Sequence, residues 1–189
     1  MTSNSPEPPT APVHDAPPPT RRSFSAPSDE AKYLYRKLLY WLYQRTDQQR
    51  ARVFASRLQK TLGRIRGATA STRGKECLAL IAEANEDWLG AVRHRQAEIT
   101  RLRKQLDSGE PGSEPLLGML EKYSYDFSDL SDRYDLLAIA LRHAGRLAEA
   151  IDALKTSKHI CESKGLAFDG ADLLSEFEAD AATGRRKKS

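Results

Sequence analysis

From residue 29 to residue 182 the apolar side chains recur at intervals of three and four and nowhere alternate over the length of a strand. That period belongs to helices, since a strand turns every second residue to the same face. The chain is therefore predicted to be all-α. Leu34, Leu38 and Leu42, with Tyr35 and Leu39 beside them, mark a first helix over about 29–45, capped by Ser28 or Asp29. Phe54, Leu58, Leu62 and Ile65 mark a second over 47–66, weakened at its end by Gly63 and Gly67, and residues 67–74 read as a loop. Further helices are expected over 75–84, from Trp88 through Leu106, around 116–123, and over 130–144, 147–161 and 170–179. The strongest internal loop signal is residues 107–114, which contain Ser108-Gly109-Glu110-Pro111-Gly112-Ser113.

The two ends read differently from the helical region. Eight of the ten prolines lie between Pro6 and Pro27, and such a stretch has too little apolar surface to offset its ordering entropy. Residues 1–28 are expected to be a disordered Pro/Ser-rich tail, residues 29–182 one helical domain, and residues 183–189, with Arg185-Arg186-Lys187-Lys188, a frayed basic tail. Thr20-Arg21-Arg22-Ser23-Phe24 looks like a twin-arginine export motif, but Asp29, Glu30, Lys32, Arg36 and Lys37 follow where an uncharged apolar region is needed. No apolar run reaches the roughly 20 residues of a membrane helix. Cys77 and Cys161 have no Cys or His nearby to form a zinc site or a disulfide framework, and buried, reduced thiols in a cytoplasmic protein are expected.

A repeat runs through the helices. Tyr134, Leu137, Ala138, Leu141, Gly145, Ala150 and Leu154 follow an aromatic, large, small, large, turn, small, large order. The same frame, 16 residues from its first position to its inter-helix alanine, fits Tyr35, Leu38, Leu39, Leu42, Thr46 and Ala51, and again Lys75, Leu78, Ala79, Ala82, Glu86 and Ala91. A small residue at Ala51, Ala91 or Ala150 lets a second helix cross close to the first. On these residues the sequence resembles the tetratricopeptide repeat family, most closely in Gly145-Arg146-Leu147-Ala148-Glu149-Ala150-Ile151. The resemblance implies antiparallel helical hairpins stacked as a short TPR-like solenoid. It is imperfect: the alanines are 40 and then 59 residues apart, Thr46 and Glu86 replace the turn glycine, and Arg95 stands where a large apolar residue belongs. An irregular bundle of antiparallel hairpins with one repeat-like end is the alternative.

Charge divides the chain. Residues 32–104 carry 17 basic and 6 acidic groups, and residues 107–182 carry 7 basic and 16 acidic. On the second helix Arg50, Arg57 and Arg64 recur every seven residues and form a stripe. Clustered cations with Tyr33, Tyr35, Tyr40, Trp41 and Tyr43 nearby suit nucleic acid, an acidic protein partner suits them equally, and a solvated face is the commonest outcome of such a stripe.

Chemistry is harder to find. None of His14, His94, His143 and His159 has a second ligand at metal spacing, and no nucleophile elbow, phosphate-binding glycine loop or metalloprotease motif occurs. Asp126, Asp129, Asp132 and Asp135 step by three; they could hold a divalent cation but suit a helix start better. The expected function is a non-catalytic scaffold that binds a protein or peptide segment, with no cofactor and no metal, and the alternative is nucleic-acid binding through the basic first half. In the family, the first helix of each hairpin lines a concave groove. Carried onto this chain, the resemblance makes Tyr33, Arg36, Tyr40 and Tyr43, then Arg73 and Glu83, then Arg142 and His143 the partner-facing residues. The family's chaperone-tail clamp is not reproduced, because Tyr40, Leu80 and Ile139 stand where its Asn would be.

Overall fold

The computed structural model describes residues 24–108 and 125–186, and those residues are helical with no strand. In chain order they form α1 (Pro27–Leu39) running into a π-helical turn (Tyr40–Gln44), α2 (Gln48–Leu62), a 3-10 turn (Ala68–Ala70), α3 (Thr72–Ala84), α4 (Trp88–Ser108), α5 (Phe127–His143), α6 (Leu147–Lys164) and α7 (Ala171–Arg186). Each helix packs on the next, giving the hairpins α1/α2, α3/α4 and α5/α6 with α7 against α6. The short helix expected around 116–123, residues 1–23 of the expected N-terminal tail and residues 187–189 of the basic one lie outside the described residues.

The three inter-helix turns share one geometry. Thr46, Glu86 and Gly145 all have left-handed backbones, with φ of 48°, 59° and 77°. The carbonyl of the next residue, Asp47, Asp87 or Arg146, then accepts the amide of Ala51, Ala91 or Ala150 at 2.9, 2.8 and 3.0 Å. Asp47 and Asp87 also cap α2 and α4, their carboxylates accepting the amides of Arg50 and Gly90. All three alanines are fully buried, as a close crossing requires.

Several helices begin earlier than their apolar periodicity indicates, because the start is set by caps and not by core contacts. Helix α1 starts at Pro27, inside the segment expected to be a tail. Proline's fixed φ and missing N–H suit a first turn, and Asp29 and Glu30 complement the positive end of the dipole. Helix α3 starts at Thr72, where Ser71 accepts the Gly74 amide and donates to the Ala68 carbonyl, both at 2.9 Å. Gly74 is required there: a Cβ would stand 1.8 Å from the Ala68 carbonyl oxygen. Helix α5 starts at Phe127 through a capping box between Asp126 and Asp129, so the acidic run is a helix start, and no group able to hold a metal ion occurs among the described residues. Helix α7 runs on to Arg186, past the expected start of the basic tail.

The apolar side chains form two cores. Leu34, Leu38, Phe54, Leu58, Leu62, Cys77, Leu80 and Ile81 close the first between α1, α2 and α3. Val92, Ile99, Leu102, Leu130, Leu137, Leu141, Leu154 and Phe177 close the second between α4, α5, α6 and α7. The two helices of the middle hairpin thus serve largely different cores. Cys77 and Cys161 are free and buried. Among the described residues no helix is long and apolar enough to cross a membrane.

Candidate binding surface and the buried charge cluster

The residues expected to face a partner divide into a free group and a committed group. On α1 and the π turn, Arg36 is exposed and Tyr33 and Tyr40 are half-buried. The Lys37 ammonium sits between those two rings, 5.9 and 5.7 Å from their centroids, and Arg45 Nε donates to the Tyr40 hydroxyl at 2.7 Å. Tyr40 also meets Trp41 edge-to-face at 5.0 Å. The result is a cationic and aromatic edge along the outside of α1.

Tyr43 behaves differently. Its ring is 46% exposed, yet its hydroxyl points inward and donates to Glu83. The π turn is where this occurs, and it places the hydroxyl 3.4 Å from Arg95 Nη2. Arg73 and Glu83, two more of the expected contacts, are drawn inward as well, because they belong to a cluster of charges between the two cores.

Arg95, the residue that departs from the apolar pattern, is the centre of that cluster. It is completely buried. Its Nε and Nη2 donate to Glu83 Oε1 at 3.0 and 2.9 Å, and its Nη1 donates to Glu98 Oε2 at 3.1 Å. Arg133 of α5 pairs with Glu98 at 2.7 Å and with Glu76 at 3.4 Å. Glu76 also accepts from Arg73 and, at 2.8 Å, from Tyr35, whose hydroxyl accepts from Arg73 at 3.0 Å. Arg73, Arg95 and Arg133 balance Glu76, Glu83 and Glu98, so the cluster can stay ionised in the interior.

The carboxyls do not share that charge equally. Burial would raise Glu76, but Arg133, Arg73 and Arg95 outweigh it and hold the group below its ordinary range. Burial of Glu98 outweighs Arg133 and Arg95 and pushes it up to about 7. Burial, reinforced by Glu76 for Tyr35 and by Glu83 for Tyr43, pushes both phenols well above their ordinary value. These hydroxyls act as hydrogen-bond donors, and nothing in their surroundings favours a phenolate nucleophile.

At the third hairpin the expected contacts are covered. Arg142 pairs with Glu176 at 2.6 Å and Asp180 at 2.5 Å, and its guanidinium lies 4.6 Å over the ring of Phe177, so α7 occupies it. His143 is exposed but stacks on Trp88, with ring centroids 4.1 Å apart, which ties α5 to the start of α4. On α2, Arg50 pairs with Asp47, while Arg57 and Arg64 flank Glu30 at 3.6 and 3.2 Å. The stripe's nearest counter-charges are therefore local and not in the acidic second half.

Sequence reasoning missed Glu76, Glu98 and Arg133 altogether. A signal existed for two of them: Arg73 with Glu76, and Arg95 with Glu98, are opposite charges three residues apart on helices whose other faces are apolar. No family model matches this chain, and neither a curated protein nor a solved structure does.

Proposed function

We propose that the chain is a short, TPR-like solenoid that serves in the cytoplasm as a non-catalytic scaffold, binding a protein or peptide segment on the outer edge of α1. The observation that carries this reading is the recurrence of one turn geometry at Thr46, Glu86 and Gly145, each followed by a fully buried alanine five residues on. Recurrent hairpins of this kind stack into extended surfaces. The accessible part of the expected groove is the first hairpin, where Arg36, Tyr33 and Tyr40 stand at the surface. Tyrosine and arginine are the side chains that most often anchor interfaces. The cluster beneath serves to hold α1 in place, through Tyr35 and Tyr43.

The test is quantitative capture of a partner by the intact protein and by two variants. Tyr40→Ala and Arg36→Glu should each weaken capture by about tenfold or more, the loss of one anchor residue, while leaving the melting curve close to that of the parent. If both variants capture normally while reversal of Arg57 and Arg64 abolishes capture, the α1 surface is not the working one.

A second reading, nucleic-acid binding through the basic first half, is favoured by the exposure of Arg52, Arg57, Lys60, Arg64 and Arg66 along and just beyond α2. Titration with labelled RNA and DNA separates the two readings. Phosphate binding must weaken steeply and log-linearly as salt rises.

A further inference from the structure

The buried cluster changes the balance of charge on the surface. From residues 32–104 it withdraws Glu76, Glu83 and Glu98, half of the acids, but only Arg73 and Arg95 among 17 cations. The fifteen cations that remain are half-buried or exposed, and they face only Asp47, Glu86 and Asp87, with Asp29 and Glu30 just ahead of them. From residues 107–182 the cluster withdraws one cation, Arg133, and no acid. The surface is thus more sharply divided than the sequence.

The division coincides with the two ends of the row of helices. At one end, α1 and α2 share an edge on which Arg50 lies 4.6 Å over the Trp41 ring and Arg57 and Arg64 flank Glu30. Glu30 and Asp47 are the acids that meet these three arginines. At the other end, α7 packs on α6 and turns Asp172 to solvent, with Asp169 exposed in the turn before it. That end is short of cations: burial, together with Asp129, Asp169 and Asp126, pushes the Asp132 carboxyl up against the pull of Arg133. Each end is a helix face with no further hairpin of its own chain to cover it.

We propose that the Arg50–Arg57–Arg64 edge of one molecule docks on the Asp169–Asp172 face of a second copy, so that the protein associates head to tail. The occupant is a second copy because the complementary surface is carried by the same chain, at the same concentration, on the end that the basic edge cannot reach within one molecule. Two different surfaces meet in such a contact, so it does not close on itself, and each pair leaves a basic and an acidic end free to add further copies. The proposal uses the ends of the molecule and is independent of the partner surface on α1.

Two charge-reversed proteins test it. At low salt the mass of the unaltered protein, measured by sedimentation or light scattering, should rise with concentration beyond twice the 21.1 kDa of the chain, and it should return to 21.1 kDa in 1 M salt, where the screening length is about 3 Å. Arg57→Glu with Arg64→Glu, and separately Asp169→Lys with Asp172→Lys, should each stay monomeric. Mixed together, they should form one-to-one pairs and stop there, because one retains its acidic end and the other its basic end. Circular dichroism checks that each is folded. Should the arginine variant unfold because Glu30 loses its partners, adding Glu30→Arg restores the local pairs with their signs exchanged. A monomer at every concentration and salt overturns the proposal, as does a mixture that fails to pair. So does binding of an RNA oligonucleotide to the basic edge in a protein that never self-associates, which assigns that edge to phosphate.

Discussion

Arg95 shows how one residue can break a sequence pattern and still be the best-fixed side chain of the structure. A guanidinium with no exposed surface persists only because Glu83 and Glu98 take its donors. Arg95→Met should therefore destabilise the protein by about 3–5 kcal/mol, since it leaves two carboxyls buried beside too few cations, and urea unfolding would show it. Glu98 adds a dependence on pH. Its pKa in the folded state, about 7, lies above the ordinary 4.5, so the folded protein holds that proton more tightly than the unfolded chain does. The associated stability is complete below about pH 4.5 and is lost as pH rises towards 7. Glu76, held low, works the other way: its contribution is present above its ordinary value and is lost as pH falls. Glu98→Gln should remove the decline in melting temperature between pH 5 and 7, and curves that run parallel for parent and variant would show that Glu98 stays ionised. Arg95 is visible in the sequence as a misfit, but its meaning is not, because Glu83, Tyr43 and Arg133 come from three other elements and no local period links them.

The hairpin turns lie at the next scale up, and there the sequence is easier to read. A fixed spacing of 16 residues locates both the left-handed turn residue and the buried alanine in all three copies, although only the third has a glycine at the turn. Thr46 and Glu86 hold positive φ with side chains that disfavour it, at a cost of roughly 1–2 kcal/mol each. Thr46→Gly and Glu86→Gly should consequently raise the melting temperature, and the exposed Arg52–Glu86 ion pair lost in the second is worth too little to reverse the sign. Gly145→Ala should lower it, through the backbone alone, because a Cβ there meets nothing within 4 Å. Ala150→Leu tests the crossing itself: with no exposed surface at Ala150, overpacking should cost on the order of 1–3 kcal/mol. A variant that melts like its parent would place the close approach of α5 and α6 elsewhere. The helix starts were less legible, since Pro27, Ser71 and Asp126 act through amides and dipoles that leave no mark on the apolar period.

For the molecule as a whole, the question is why two cores behave as one body. Helices α3 and α4 form a hairpin, yet they contribute largely to different cores, and the charge cluster spans the seam from Tyr35 and Tyr43 through Glu76, Glu83, Arg95 and Glu98 to Arg133. Stacked hairpins touch mainly their neighbours, so cooperativity depends on the strength of each junction. Arg133 is the cluster's only contribution from α5, and its pairs with Glu76 and Glu98 connect the third hairpin to both helices of the second. The two tryptophans allow this to be measured. Trp41 packs against the first core, while Trp88 stacks on His143 at the end of α5. In the unaltered protein, single-tryptophan forms made by Trp41→Phe and Trp88→Phe should report one coincident unfolding transition. With Arg133→Met added, Glu76 and Glu98 lose their shared partner. The Trp41 and Trp88 transitions should then separate along the denaturant axis, whereas coincident transitions in that variant would mean that apolar contacts across α3 and α4 couple the halves without the cluster.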